Sequence, residues 1–75
     1  MNYKLLDEKI RSSGMTMVAI AEKTGILRET LYNRLNGRTE FKASEIIRIS
    51  QVLNLSNVER DRIFFAEERE LNSTA

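Results

Sequence analysis

Cysteine, histidine and proline are all absent from this 75-residue chain. Without cysteine there is no disulfide and no thiolate metal site, and without histidine the commonest general base and metal ligand is missing. No apolar run approaches the roughly 20 residues that span a bilayer, and the charged N-terminus lacks the apolar segment of a signal peptide. We therefore expect one soluble, cytoplasmic domain over residues 1–75, with no cofactor, no metal, no membrane association and no evident small-molecule ligand.

The sequence also offers little that would catalyse a reaction. No nucleophile–base pair and no glycine-rich phosphate loop is recognisable, so we expect no enzyme and no catalytic residue. The acidic group formed by Glu67, Glu68 and Glu70 is most simply explained as a solvated surface.

Charge is unevenly distributed, although the net charge is only +1. Residues 1–42 contain eight Lys or Arg and five Asp or Glu, a net of +3, whereas residues 43–75 contain four and six, a net of −2. A basic first half and an acidic second half fit a domain that turns one face toward phosphate. Ordinary charge scatter explains the same numbers equally well, so this feature indicates a nucleic-acid partner only weakly.

Apolar residues recur at spacings of three and four, which predicts helices rather than strands. Asn2 suits the N-cap of a first helix, Gly25 and the Asn36-Gly37 pair suit turns, and Ser56 with Glu59 forms a capping-box pattern. The five predicted helices cover residues 3–12, 16 or 17–24, 28–35, 43–53 and about 57–64. The fourth should be a central helix, because Ile46, Ile47, Ile49, Val52 and Leu53 make it almost continuously apolar, and Phe41 should enter the core from the preceding loop.

The C-terminal part is less strongly determined. We expect a core over about residues 3–65, a last helix that ends near Phe64, and a short extended tail over residues 66–75. Apolar residues are more frequent here than is usual near a chain terminus. We expect them to form a homodimer interface, which comprises Ile63, Phe64, Phe65 and Leu71. The alternative is that both phenylalanines close the core of a monomer.

The segment from Met17 to Gly37 has the spacing of a helix-turn-helix. Ala21 is small enough for two helices to approach closely, and Gly25, four residues later, can adopt the positive φ that ends the first helix. Leu31, six residues further on, fills the angle between the helices. Such spacing can arise by chance, but here one short helix precedes it and two follow it in an all-helical chain.

With these features the chain resembles the Cro/C1-type helix-turn-helix family of phage and bacterial repressors over about residues 3–56. The opening MNYKLLDEKI, the Leu35-Asn36-Gly37 turn and the Ile63-Phe64-Phe65 ending are similar to small phage-associated members. The resemblance implies an all-α, five-helix lambda-repressor-like domain. It also implies a small transcriptional regulator that binds specific sites in double-stranded DNA.

The resemblance further implies which residues contact DNA. The recognition helix, Arg28–Leu35, would lie in the major groove of a palindromic operator bound by a homodimer. Base contacts would come from Leu27, Arg28, Glu29, Tyr32 and Asn33. Phosphate contacts would come from Thr16, Met17, Thr30, Arg34, Arg38, Thr39 and Lys42. An ordinary solvated surface is the alternative for each of these side chains.

Two positions depart from the family pattern. Met17 stands where glutamine often binds phosphate, and Leu27 stands where serine or threonine usually caps the recognition helix, a change that costs roughly 0.5–2 kcal/mol. We expect Leu27 to contact a thymine methyl group instead. A rival hypothesis keeps the fold without DNA binding, as an antirepressor- or antitoxin-like protein-interaction module, and the near-neutral net charge leaves it open.

Overall fold

The computed structural model describes residues 1–66, and over that range it contains five α-helices and no strand. The helices are α1 (Tyr3–Ser12), α2 (Met17–Thr24), α3 (Arg28–Leu35), α4 (Ala43–Val52) and α5 (Asn57–Phe64). The predicted all-α class and helix order are confirmed, and α4 ends one residue early because Leu53 is its C-cap. None of the helices within residues 1–66 combines the length and the apolar character that a membrane span requires. The predicted tail beyond residue 66 lies outside the described residues.

Local sequence explains where three of the helices begin. Asn2, Thr16 and Ser56 each accept a hydrogen bond, through a side-chain oxygen, from the backbone N–H three residues later, at 3.1 Å in every case. Glu59 completes the capping box, because its carboxylate accepts the Ser56 backbone N–H at 2.9 Å. Each such cap contributes about 1 kcal/mol to helix stability.

One fully buried side chain from each helix meets in a single core. These residues are Leu6, Ile20, Leu31, Ile49 and Ile63, in the order α1 to α5. The predicted role of Phe41 is consistent with its position, since its ring packs edge-to-face on Phe64 with ring centroids 5.3 Å apart. All five helices therefore depend on the same apolar contacts, which fixes the position of the helix-turn-helix within the domain.

The apolar residues of α4 do not all face the core. Ile49 is fully buried, but Ile47 is 55% exposed. Residues two apart on a helix point to nearly opposite sides, because successive side chains turn by about 100°. The dense apolar run therefore does not make α4 buried on all sides. One face packs on the core, and Ile47 is left on the surface.

The predicted dimer interface needs a correction. Ile63 is fully buried and Phe64 is 9% exposed, so both pack in the core of a single chain, which is the alternative stated above for Phe64. The reason is that α5 closes the domain against α1. The Asn2 backbone N–H donates to the Ile63 carbonyl at 2.7 Å. Phe65 is half-buried, and Leu71 lies outside the described residues.

An ion pair between Lys9 and Glu59 also joins α1 to α5. The Lys9 ammonium, and after it the Ser56 backbone N–H, lowers the pKa of Glu59 to about 2. Both hydrogen bonds favour the ionised carboxylate over the protonated acid. The contact between α1 and α5 is therefore strongest at pH values where Glu59 is charged.

Candidate nucleic-acid interface

The turn between α2 and α3 is built from backbone geometry and one buried hydroxyl. Gly25 has φ of 71°, and its N–H donates to the Ala21 carbonyl at 2.9 Å. The Thr24 hydroxyl donates to the Ile20 carbonyl at 2.7 Å and accepts the Ile26 N–H at 3.3 Å. The sequence pattern did not single out Thr24, although a threonine directly before the glycine is the signal for such a bond. These contacts hold the turn in one conformation.

The scaffold residues of the motif lie on its inner side. Ala21 is buried on the inner side of α2, and Leu31 is fully buried on the inner side of α3. Because Leu31 fixes one side of α3 to the core, the opposite side of this helix must face solvent. A helix that is held in this way presents its outer side chains in a defined orientation.

The five side chains expected to contact bases lie together on that outer side. Leu27, Arg28, Glu29 and Tyr32 are exposed and Asn33 is half-buried. They surround one shallow surface depression, which is lined by Leu27, Arg28, Glu29, Thr30, Tyr32, Asn33, Asn36 and Arg38. The structure thus brings two of the expected phosphate contacts, Thr30 and Arg38, next to the expected base contacts.

Leu27 is the most unusual residue of this surface. It is the N-cap of α3, makes no side-chain capping bond and is 77% exposed. Thr16 and Ser56 occupy the same position on α2 and α5 and do form such bonds. The recognition helix therefore begins with an apolar side chain directed into solvent where a capping hydroxyl would stabilise it.

The other residues expected to contact phosphate differ in their exposure and in the hydrogen bonds that they already make. Arg38 and Lys42 are exposed in the loop after α3, and Thr16 is exposed at the start of α2, where its hydroxyl oxygen caps the helix. Met17 is partly buried against the core. Thr39 is exposed, and its hydroxyl oxygen accepts a hydrogen bond from the Arg34 guanidinium at 2.7 Å.

Arg34, which was also expected to bind phosphate, is turned toward the protein and paired with Glu45. Its Nε lies 2.8 Å from Oε1 of Glu45 and its Nη2 lies 3.3 Å from Oε2, with the two side chains only 12% and 10% exposed. The hydrogen bonds raise the pKa of Arg34 and lower that of Glu45. Sequence reasoning missed this pair because its members are 11 residues apart on different helices, with no helical spacing to connect them.

Comparison with known proteins identifies the family. A helix-turn-helix family model matches residues 6–59, from α1 into the first turn of α5, and so includes the whole candidate interface. No curated protein and no solved structure shows significant similarity to the chain. Among residues 1–66 no group of three or more His, Cys, Asp or Glu side chains could hold a metal ion. The matched span covers well over half of the sequence and contains the motif described above, so the chain belongs to the Cro/C1-type helix-turn-helix family of DNA-binding transcription regulators.

Proposed function

We propose that the protein is a sequence-specific regulator of the phage repressor or Cro type, with α3 in the major groove of its operator. One observation carries this proposal. The outer side of α3 displays Leu27, Arg28, Glu29, Tyr32 and Asn33 around a single depression, while the inner side is held by the fully buried Leu31. A rigidly supported helix with such a surface is suited to a groove that admits one α-helix.

The chemistry of these side chains fits base edges. The Arg28 guanidinium can donate two parallel hydrogen bonds to O6 and N7 of guanine, and the Asn33 amide can pair with N6 and N7 of adenine. Glu29 can accept from N4 of cytosine. Tyr32 and Leu27 offer apolar surface for a thymine methyl group. Each bidentate contact discriminates by about 1–3 kcal/mol against the wrong base.

Phosphate contacts are proposed on both sides of this surface. Arg38 and Lys42 are exposed in the loop after α3, and Thr30 lies beside Arg38 in the depression. Thr16 and Met17 mark the start of α2, where backbone N–H groups and the positive end of the helix dipole favour a phosphate. Such contacts fix the orientation of the domain on the duplex.

We further propose a homodimer on a palindromic operator, because one small module contacts few base pairs and two-fold sites supply the missing specificity. Burial of Ile63 and Phe64 in the core of a single chain favours other residues for this dimer. We propose that Phe65 and Leu71 contribute to the dimer interface.

A second candidate function is supported by one specific feature. Leu27 and Val18, which is also exposed, line a further depression along the outside of the motif. Exposed apolar residues around a depression also suit a protein partner. An adaptor that kept the fold and bound a protein instead of DNA would use this surface and would show no affinity for duplex DNA.

Salt-dependent binding to duplex DNA separates the two functions. We expect a labelled random duplex to bind at about 50 mM salt and to be released steeply toward about 200 mM, because the counterions displaced from phosphates drive association. Binding that is undetectable at about 50 mM would contradict the DNA-binding proposal.

Specific recognition is tested by variants of α3. Arg28→Ala and Asn33→Ala should each weaken binding to a preferred site by about 1–3 kcal/mol without unfolding the protein. Arg62→Ala is the matched control for Arg28→Ala, because it removes the same charge from an exposed position on α5. Loss of folding in the α3 variants would show that those side chains are structural.

A further inference from the structure

The ion pair between Arg34 and Glu45 connects three parts of the interface. Arg34 belongs to the last turn of α3, and Glu45 to the first turn of α4. A third guanidinium nitrogen, Nη1 of Arg34, donates to the Thr39 hydroxyl at 2.7 Å, and Oε1 of Glu45 accepts the Lys42 backbone N–H at 2.8 Å. Both partners therefore bond to each other and to the loop over residues 36–42.

The same loop contains the exposed cations proposed to bind phosphate. At its start, the backbone N–H groups of Arg38 and Thr39 both donate to the Asn33 carbonyl, at 3.0 and 3.3 Å. At its end, the Lys42 N–H is held by Glu45. The backbone positions of Arg38 and Lys42 relative to the recognition helix are thus fixed at one end by α3 itself and at the other end by the ion pair.

The ion pair itself is not an efficient source of fold stability, although the Glu45 bond to the Lys42 N–H also caps α4. Removing two charges from water is costly, and an apolar pair of similar volume often gives equal or greater stability than a buried ion pair. An apolar pair cannot replace the directional hydrogen bonds to Thr39 and Lys42. Those bonds are the specific contribution of Arg34 and Glu45.

We propose that Arg34 and Glu45 are positioning residues for DNA binding, a proposal that rests on the function proposed above. Neither side chain touches DNA. Together they hold the loop over residues 36–42 so that Arg38 and Lys42 meet the phosphates flanking the groove that α3 enters. The pair thereby couples the base-contacting surface to the phosphate-contacting loop.

The test compares the wild-type protein with Arg34→Met, Glu45→Met and the double variant, which retains the net charge of +1. The salt dependence of random-duplex binding and the thermal unfolding of each protein are measured. We expect the double variant to stay folded but to bind roughly tenfold more weakly. Its logarithmic salt slope should be shallower by about 0.9 to 1.8, because the Lys42 contact is lost and the Arg38 contact, which α3 also holds, is weakened.

The single variant Glu45→Met gives the sharpest distinction. If Arg34 and Glu45 position the loop, Glu45→Met should bind DNA more weakly than wild type even though the variant is more positively charged. Direct phosphate binding by Arg34 predicts the opposite, because loss of Glu45 would release the guanidinium. Glu8→Met, which removes a carboxylate from an exposed position on α1, is the matched control and should bind as well as or better than wild type. Glu45→Gln retains an acceptor oxygen and should restore most of the binding.

Hydrogen exchange without DNA provides an independent readout. The Lys42 amide should exchange at least about tenfold faster in the double variant, while the Ile49 amide in the core stays protected. Tighter binding by Glu45→Met would overturn the proposal, as would a double variant with wild-type affinity and salt slope. Absence of any salt-dependent duplex binding by the wild-type protein would instead overturn the proposed function and this inference together.

Discussion

Replacing Leu27 by serine should stabilise the domain and weaken its discrimination among DNA sites. The Leu27 backbone, with φ of −57° and ψ of 138°, is close to that of the working caps Thr16 and Ser56. A serine oxygen at this position would reach the Thr30 N–H, three residues later, as those caps do. The new cap should contribute about 0.5–2 kcal/mol.

The free energy lost with the buried part of the leucine side chain is smaller than the free energy gained from the new cap. Because Leu27 is 77% exposed, less than a quarter of the roughly 1.5–3 kcal/mol for full leucine burial is at risk. We therefore expect a net stabilisation of about 0.5–1 kcal/mol, which corresponds to a rise in unfolding temperature of roughly 2–8 °C for a domain of this size.

Thermal and denaturant unfolding measure this difference, with Leu27→Ala as the control. Alanine loses the apolar surface without gaining a cap, so the difference between the two variants isolates the capping bond. A serine variant no more stable than the alanine variant would refute the reasoning, because it would show that the start of α3 does not need the missing hydrogen bond.

The effect on DNA is measured on a preferred site in which thymine is replaced by uracil. One methyl group in apolar contact is worth about 0.8 kcal/mol, or roughly fourfold in affinity. The wild-type protein should lose that factor at the thymine that Leu27 contacts, and Leu27→Ser should bind both duplexes equally. Equal binding of both duplexes by the wild-type protein would remove the proposed role of Leu27.

Three further predictions concern the fold. Gly25→Ala should lower the unfolding free energy by about 1–2 kcal/mol. The cost comes entirely from the left-handed backbone, since a Cβ there would meet no atom within 4 Å. Gly25→Asn should cost less, and a Gly25→Ala variant as stable as wild type would contradict this. The pKa of Glu59 is lowered from 4.5 to about 2, so the stabilisation from its charged form is complete above about pH 4.5 and is lost as the pH falls toward 2. In Glu59→Gln the pH dependence of the unfolding free energy should be flatter over that window, and an unchanged profile would show that Glu59 is not its source. Ile63→Ala should lower the unfolding free energy of each chain by about 2–5 kcal/mol at every protein concentration. Ile47→Ser should change the unfolding free energy by no more than about 1 kcal/mol. A loss of stability in Ile63→Ala that depended on protein concentration would place Ile63 in a dimer interface.

Helix positions followed from the sequence because the signals that set them are local. Asn2, Thr16 and Ser56 cap the backbone three residues away, and Gly25 ends α2 through its own φ. The inner side of the motif was equally predictable, since Ala21 and Leu31 lie where their spacing indicates. Such features depend on residues within one or two helical turns of each other.

Features that depend on which helices meet were not predictable in the same way. The sequence pattern of α4 did not reveal which isoleucine would be exposed to solvent, and the structure shows that it is Ile47. An apolar chain end is compatible with a dimer or with a closed core, and only the packing of α5 on α1 assigns Ile63 to the core. The role of Arg34 depends on Glu45, which reaches it only after α3, the loop and α4 have folded together.

Selection of bound sites from a random pool of DNA duplexes tests the proposed function most directly. The wild-type protein should enrich an inverted repeat whose half-sites are centred about 10–10.5 base pairs apart, and Arg28→Ala should lose the preference at one position in each half-site. Contradiction would take either of two forms: a folded wild-type protein that enriches no sequence, or one that enriches the same sequence after both Arg28 and Asn33 have been replaced by alanine.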